Sequence, residues 1–215
     1  MISMTSQQSA DGKPAAHSRA AQGRAAQGRA TRDQLVEVAT GLFAEHGYEG
    51  TSIEAVLSAA GVSRGALYHH FAGKEALFEA VVQAVSDRVL LRLMEEVKDI
   101  TDPVAALRAS ALAWVGLAVD PVIQRVVLVD APSVLGWDRW RDMDDGRTLG
   151  AVRSLLQEIS DSDRLRADLV GPFAHMILAA LDEIALVIAR ADDSETALLE
   201  GRASVAEFLA RLLHP

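Results

Sequence analysis

The chain of 215 residues contains no cysteine. Disulfides and cysteine-ligated metals are thereby excluded, which fits a cytoplasmic protein. Aromatic residues make up only 5% of the sequence, and the alternation expected of half-buried strands is hard to find. Half of the residues are apolar, and Ala, Leu, Val, Glu and Arg dominate. This composition points to an all-helical protein long enough to bury a real core. The chain has no nucleophile elbow, no phosphate-binding glycine loop, no dinucleotide fingerprint and no H-E-x-x-H motif. Its Ser, His and Asp residues form no recognisable catalytic arrangement. The expectation is a protein that is not an enzyme, with no catalytic residue, metal or cofactor.

A membrane segment is also missing. The N-terminus carries no apolar core of a signal peptide. The longest apolar run, residues 173–191, holds Asp182 and Glu183 near its middle. Each such acid costs about 2.5–3.5 kcal/mol at a bilayer centre, so the run reads as a helix buried in protein.

Positive charge is scarce. The formal net charge is −9, which argues against a general nucleic-acid binder. Residues 1–80 hold seven Lys and Arg against eight Asp and Glu. The cations are concentrated, however: Arg19, Arg24, Arg29 and Arg32 near the N-terminus, then Arg64 and Lys74. Any DNA footprint should be small and salt-sensitive.

Residues 51–75, TSIEAVLSAAGVSRGALYHHFAGKE, carry the strongest functional signal. Thr51 and Glu54 stand at capping-box spacing, so a helix should open there. Gly61 ends it, and Ser63 can cap a second helix carrying Arg64, Tyr68, His69 and His70. Ala72-Gly73 closes that helix, and Lys74-Glu75 starts a third. A bracing helix, a tight turn and a second helix with exposed polar and aromatic groups make a helix-turn-helix. Arg64 can read guanine or bind phosphate. Gly65 and Ala66 are small enough to let the backbone approach a groove. Lys74 combines its own charge with the free amides of a helix N-terminus. His69 and His70 point about 100° apart on a helix and have no partner at ligand spacing, so they do not read as metal ligands.

The stretch resembles the N-terminal domain of the TetR family of bacterial transcription regulators. The matching residues are Ala39, Leu42-Phe43, Gly47-Tyr48, Thr51-Ser52, Ala60-Gly61-Val62-Ser63, Leu67-Tyr68, His70-Phe71 and Lys74-Glu75. Leu57 departs from the pattern, which usually has a small residue there. The resemblance implies base or phosphate contacts by Ser63, Arg64, Gly65, Ala66, Tyr68, His69 and His70, and phosphate contacts by Thr51, Ser52 and Lys74.

Three regions follow. Residues 1–30 are rich in Ser, Gln, Gly, Ala and Arg, contain the tandem repeat AAQGRAAQGR, and read as a disordered basic arm. It is either a solvated tail or an arm that reaches phosphates beside the motif. Residues 31–78 form the helix-turn-helix domain, with a first helix over 32–46 ended by Gly47. Residues 79–215 form a ligand-binding and dimerisation domain. Its helices are expected over 74–98, 103–119 and 120–129, in a region from a break at Ala131-Pro132 to about 160, and over 171–191 and 194–213.

In that second part, VVLVDAPSVLGWDRW places Asp130 after four apolar residues, with Trp137 and Trp140 one turn apart. This stretch and LAALDEIALVIARA resemble those of a subgroup of TetR-like regulators. The tryptophans, with Trp114, read either as core or as the wall of an apolar effector site whose polar groups are Asp130, His175 and Asp182. Asp130 could instead cap a helix or pair with Arg139 or Arg141. The helices over 172–191 and 195–213 carry more apolar surface than one chain should cover, and the resemblance implies a four-helix homodimer interface there.

The fold expected is all-α: an N-terminal three-helix helix-turn-helix domain and a C-terminal helical body. The function expected is repression of transcription on double-stranded operator DNA, released by a small apolar or aromatic effector. The alternatives are an activator or effector-independent regulator of the same fold, or a helical enzyme or carrier that uses the C-terminal pocket.

Overall fold

The computed structural model describes residues 13–144 and 148–213; the side chains of residues 13–22 and of Arg24, Trp137, Arg141 and Asp144 lie outside that description. Among the described residues every regular element is helical. Helix α1 (Lys13–Gly50) runs through an Ala-rich stretch and turns at Gly47, whose φ of 71° is easily reached only without a Cβ. Helix α2 (Ile53–Ala60) ends at Gly61 in the left-handed conformation (φ 65°), and α3 (Arg64–His70) follows. The long α4 (Lys74–Val97) joins this head to the body.

The body comprises α5 (Pro103–Leu117), a π-helical segment (Ile123–Asp130), α6 (Ala131–Leu135), α7 (Trp137–Asp144), α8 (Gly150–Asp161), α9 (Val170–Ala189) and α10 (Ser194–Leu212). One apolar cluster runs from Leu35 in the head to Leu213 at the end of the body. Helix α1 packs on α4 and on the π-helical segment, α4 on α5, and α5 on α8, α9 and α10. The head is therefore seated on both α4 and the segment that leads to Asp130.

Several local expectations need correction. Residues 13–30, read as a disordered arm, are helical; Ala, Arg and Gln are strong helix formers. Residues 1–12 of that arm lie outside the described residues. Ser52, not Thr51, caps α2: its hydroxyl accepts the Ala55 N–H at 3.1 Å. Thr51 is turned inward, where its hydroxyl faces the carbonyls of Gly47 at 2.9 Å and Leu42 at 3.1 Å. Helix α10, expected from residue 194 with Ser194 as its cap, is capped one residue earlier, by Asp193 accepting the Thr196 N–H at 3.1 Å. The chain does not break at Ala131-Pro132. Pro132 sits in the first turn of α6, where no amide is needed, and the break comes at Gly136 (φ 81°).

Candidate nucleic-acid interface and effector cavity

Helix α3 is held by two buried side chains, Leu67 and Phe71, and presents the opposite face outward. Arg64, Gly65, Tyr68 and His69 are exposed, with Ala66 and His70 half-buried. Outward residues at i, i+1, i+4 and i+5 form one helical face. Tyr68 keeps 48% of its surface accessible although it is a large aromatic. The Ser63 hydroxyl accepts the Ala66 N–H at 3.2 Å and so caps the helix. Arg64 pairs with Glu54 of α2. Hydrogen bonding to its own backbone amide and to Arg64 holds the Glu54 carboxyl below its ordinary value. Glu54 thus fixes the Arg64 side chain across the turn.

Lys74 opens α4 with its Nζ 4.1 Å above the centre of the Tyr48 ring. That ring packs edge-on against Phe78 and stacks near Phe43. Burial, then the nearby Glu75 and Glu49, raise the Tyr48 phenol above its usual value. Thr51 is 2% exposed and its hydroxyl is used internally, so of the residues expected at phosphates it alone is withdrawn from the surface.

A second feature lies in the body. A cavity of about 280 Å³ opens between α4, α5, α8 and α9. Its walls are Leu, Val, Ala and Met side chains with Trp114, and its polar groups are Ser86, Ser110, Thr148, Ser154 and Asp182. A smaller space beside it shares Ser86, Trp114, Val127 and Asp182 and ends on Trp140 and Met143. An apolar hollow with a few polar groups is the usual form of a small-molecule site.

Comparison with known proteins decides what this arrangement belongs to. Residues 35–81 match the family described as "Bacterial regulatory proteins, tetR family", and residues 104–212 match "Tetracyclin repressor-like, C-terminal domain". The repressor AcnR of Corynebacterium efficiens is 30% identical over 156 residues, 69% of this chain and 76% of that protein. The chain belongs to the TetR family of transcriptional regulators. A TetR-family regulator from Pectobacterium atrosepticum has the same fold, with a TM-score of 0.77 and 30% identity over 88% of this chain and 96% of that one. The Bacillus subtilis regulator FadR, crystallised with stearoyl-CoA, aligns with a TM-score of 0.69 at 21% identity over 84% of this chain and 98% of that one; this likeness shows the fold.

As a TetR-family member the protein is a ligand-responsive DNA-binding repressor and not an enzyme. Members of the family bind operator DNA and small-molecule effectors and typically dimerise. Of the effector residues expected from sequence, Trp114 and Asp182 line the cavity and Trp140 lines the adjoining space. The side chain of Trp137 lies outside the described residues. His175 is exposed, with its Nε2 3.4 Å from Arg153, and is not on the wall. Asp130 is not on the wall either. It accepts the backbone N–H of Tyr48 at 2.7 Å and the Arg125 Nε–H at 3.2 Å. Its partner is therefore Arg125; Arg139 instead bridges Glu75 and Glu79 of α4 at 2.8 and 2.6 Å. The hydroxyl-bearing wall residues Ser86, Ser110, Thr148 and Ser154 were not anticipated. Their signal was positional: each lies on a helix at or beside the turn that carries its inward apolar residues.

Proposed function

We infer that this repressor binds its operator as a homodimer and is released by an effector held in the cavity between α4, α5, α8 and α9. The observation that carries this reading is the π-helical segment. Val127 forms part of the cavity wall, and Asp130, three residues on, holds the backbone of Tyr48 in the head. Tyr48 in turn lies under Lys74, a proposed phosphate contact. A ligand that displaces Val127 acts on a continuous set of contacts that ends at the DNA face. Such a shift is limited to the effector's differential affinity for the two states.

The head, residues 31–78, presents Arg64, Gly65, Tyr68 and His69 to the major groove, with Lys74 and Ser52 at the backbone. Two heads would read half-sites about 34–36 Å apart. Dimerisation would use the outer faces of α9 and α10. Met176, Val187 and Leu199 are 54%, 53% and 65% exposed, and only 39% of the most apolar window of residues 167–189 is buried within one chain. The inner residues Ile177, Leu181, Ile188, Val205 and Leu209 are already buried and belong to the core.

The effector class follows from the wall. Among the described lining residues Asp182 is the one charged group, and there is no Lys, Arg or His. A largely apolar molecule with a few hydrogen-bonding groups suits this wall, because Leu, Val, Ala and Met side chains and Trp114 enclose it and the Ser and Thr hydroxyls give it polar contacts. A thermal-shift screen of apolar amines, alcohols and acids, followed by a gel shift with DNA upstream of the protein's own gene, tests the reading. Apolar hits that release the DNA support it. Binding confined to strongly polar molecules, or binding without release, contradicts it.

A further inference from the structure

We propose that residues 13–29 form a second DNA-contacting element, a basic helix lying along phosphates that flank the half-site read by α3. The charge distribution is one-sided. Lys13, Arg19, Arg24, Arg29 and Arg32 stand in a stretch with no Asp or Glu, within a chain whose net charge is −9. The segment is helical and continuous with the helix that enters the head.

Its position relative to α3 is fixed by contacts at its C-terminal end. A Cβ built on Gly28 stands 3.9 Å from Cε1 of His70, the last residue of α3. The Arg32 guanidinium lies 5.3 Å from the centre of the Phe71 ring, just after α3. Gln34 donates its Nε2–H to the Ala60 carbonyl at 2.8 Å, tying the same helix to the end of α2. The basic stretch therefore leaves the head beside the recognition helix. At ~1.5 Å per residue, the 15 steps from Gly28 back to Lys13 reach about 22 Å, or roughly six base pairs of duplex.

The occupant that fits is the phosphate backbone. The stretch has no large apolar residue to enter a membrane or a protein groove. Its cations recur in the sequence at five-residue intervals, Arg19, Arg24 and Arg29, a step of about 140° on a helix, which is not the i, i+3, i+4 spacing of one base-reading edge. Such a helix adds affinity and salt dependence without sequence preference.

The test uses the full chain and its R19Q/R24Q/R29Q variant, titrated with random-sequence duplex DNA at several salt concentrations. One face of the helix meets one or two of these arginines, so the variant should lower the slope of log affinity against log salt by about one to two per bound protomer, at roughly 0.9 per phosphate contact. A chain lacking residues 1–22 keeps the head and repeats the test with two fewer cations; its slope should fall by about one to two. Wild-type slopes in both variants, with circular dichroism showing folded protein, would overturn the proposal. So would tight binding of the wild type to phosphatidylserine vesicles that the triple variant loses while its DNA slope stays unchanged.

Discussion

The carboxylate of Asp130 accepts the backbone N–H of Tyr48 at 2.7 Å, across 82 residues of sequence. It ties the π-helical segment of the body to the point where α1 turns at Gly47. Arg125 completes the joint: its Nε donates to the same oxygen, and its guanidinium lies so close over Gly47 that a Cβ there would push it aside. The left-handed φ is what favours glycine at position 47, and a side chain there would also displace Arg125 from this joint.

Replacing Asp130 by Ala should lower the free energy of unfolding by about 1–3 kcal/mol, because a buried amide and a guanidinium lose their acceptor. Asp130→Asn keeps an acceptor oxygen and should cost less. Urea unfolding of both variants checks the order. Equal stability of wild type and the Ala variant would show that the joint contributes nothing.

On the DNA face, Tyr68→Ala should lose operator affinity while the unfolding free energy stays within about 0.5 kcal/mol, since the side chain is exposed. Lys74→Ala should weaken binding to all sequences and lower the salt slope by roughly one. Its loss from the Tyr48 ring should also cost about 0.5–1 kcal/mol of stability. Anisotropy titrations across a salt series measure both effects.

How much of this was visible beforehand differs between the two halves. The helix-turn-helix was legible because its constraints are local: Ser63 caps, Gly61 turns, and Leu67 and Phe71 anchor while Tyr68 faces out. The cavity was half legible. Trp114 and Asp182 stand on its wall, but four hydroxyl residues from α4, α5, α8 and its approach were not foreseen, because convergence of four helices has no local signature. Asp130 stands out in the sequence as a carboxylate after an apolar run, but neither the cavity wall nor Arg139 is its partner. Its actual partner, a backbone amide 82 residues away, leaves no trace in side-chain spacing. The caps are Ser52 and Asp193 where the sequence points to their neighbours Thr51 and Ser194, because adjacent polar residues compete for the same role.

The dimer face makes a discriminating prediction. Val187→Asp or Leu199→Glu should give a folded monomer, because both side chains are exposed on one chain. Leu209→Glu should unfold the protein instead, because that residue is 2% exposed. Sedimentation velocity and circular dichroism separate the outcomes. A dimer that survives both surface substitutions places the interface elsewhere.

Acid should weaken the body at its helix starts. Hydrogen bonds to the Ala105 amide and to Arg164 hold the Asp102 carboxyl below its ordinary value, and those to Thr196 do the same for Asp193. A depressed carboxyl stabilises the fold above its unfolded-state pKa, and that contribution is lost as pH falls through the folded value. The destabilisation caused by Asp102→Asn should therefore be present at neutral pH and shrink below the usual carboxylate range. A penalty that stays constant from neutral to strongly acid pH would contradict this. Tyr48 has the opposite sign: its raised phenol favours the fold at neutral pH and loses that contribution as pH rises through the folded value, above the ordinary tyrosine range.

The central claim is that the cavity and the DNA face are coupled through one chain of contacts. It is tested most directly by titrating a screened apolar ligand into protein bound to labelled operator, following anisotropy and tryptophan fluorescence in the same sample. Trp114 and Trp140 should quench over the concentration range in which the DNA is released. Ser86→Phe and Ala151→Phe, which fill the cavity, should bind operator as wild type does and no longer release it. Release of operator from both filled variants at the wild-type ligand concentration would contradict the account.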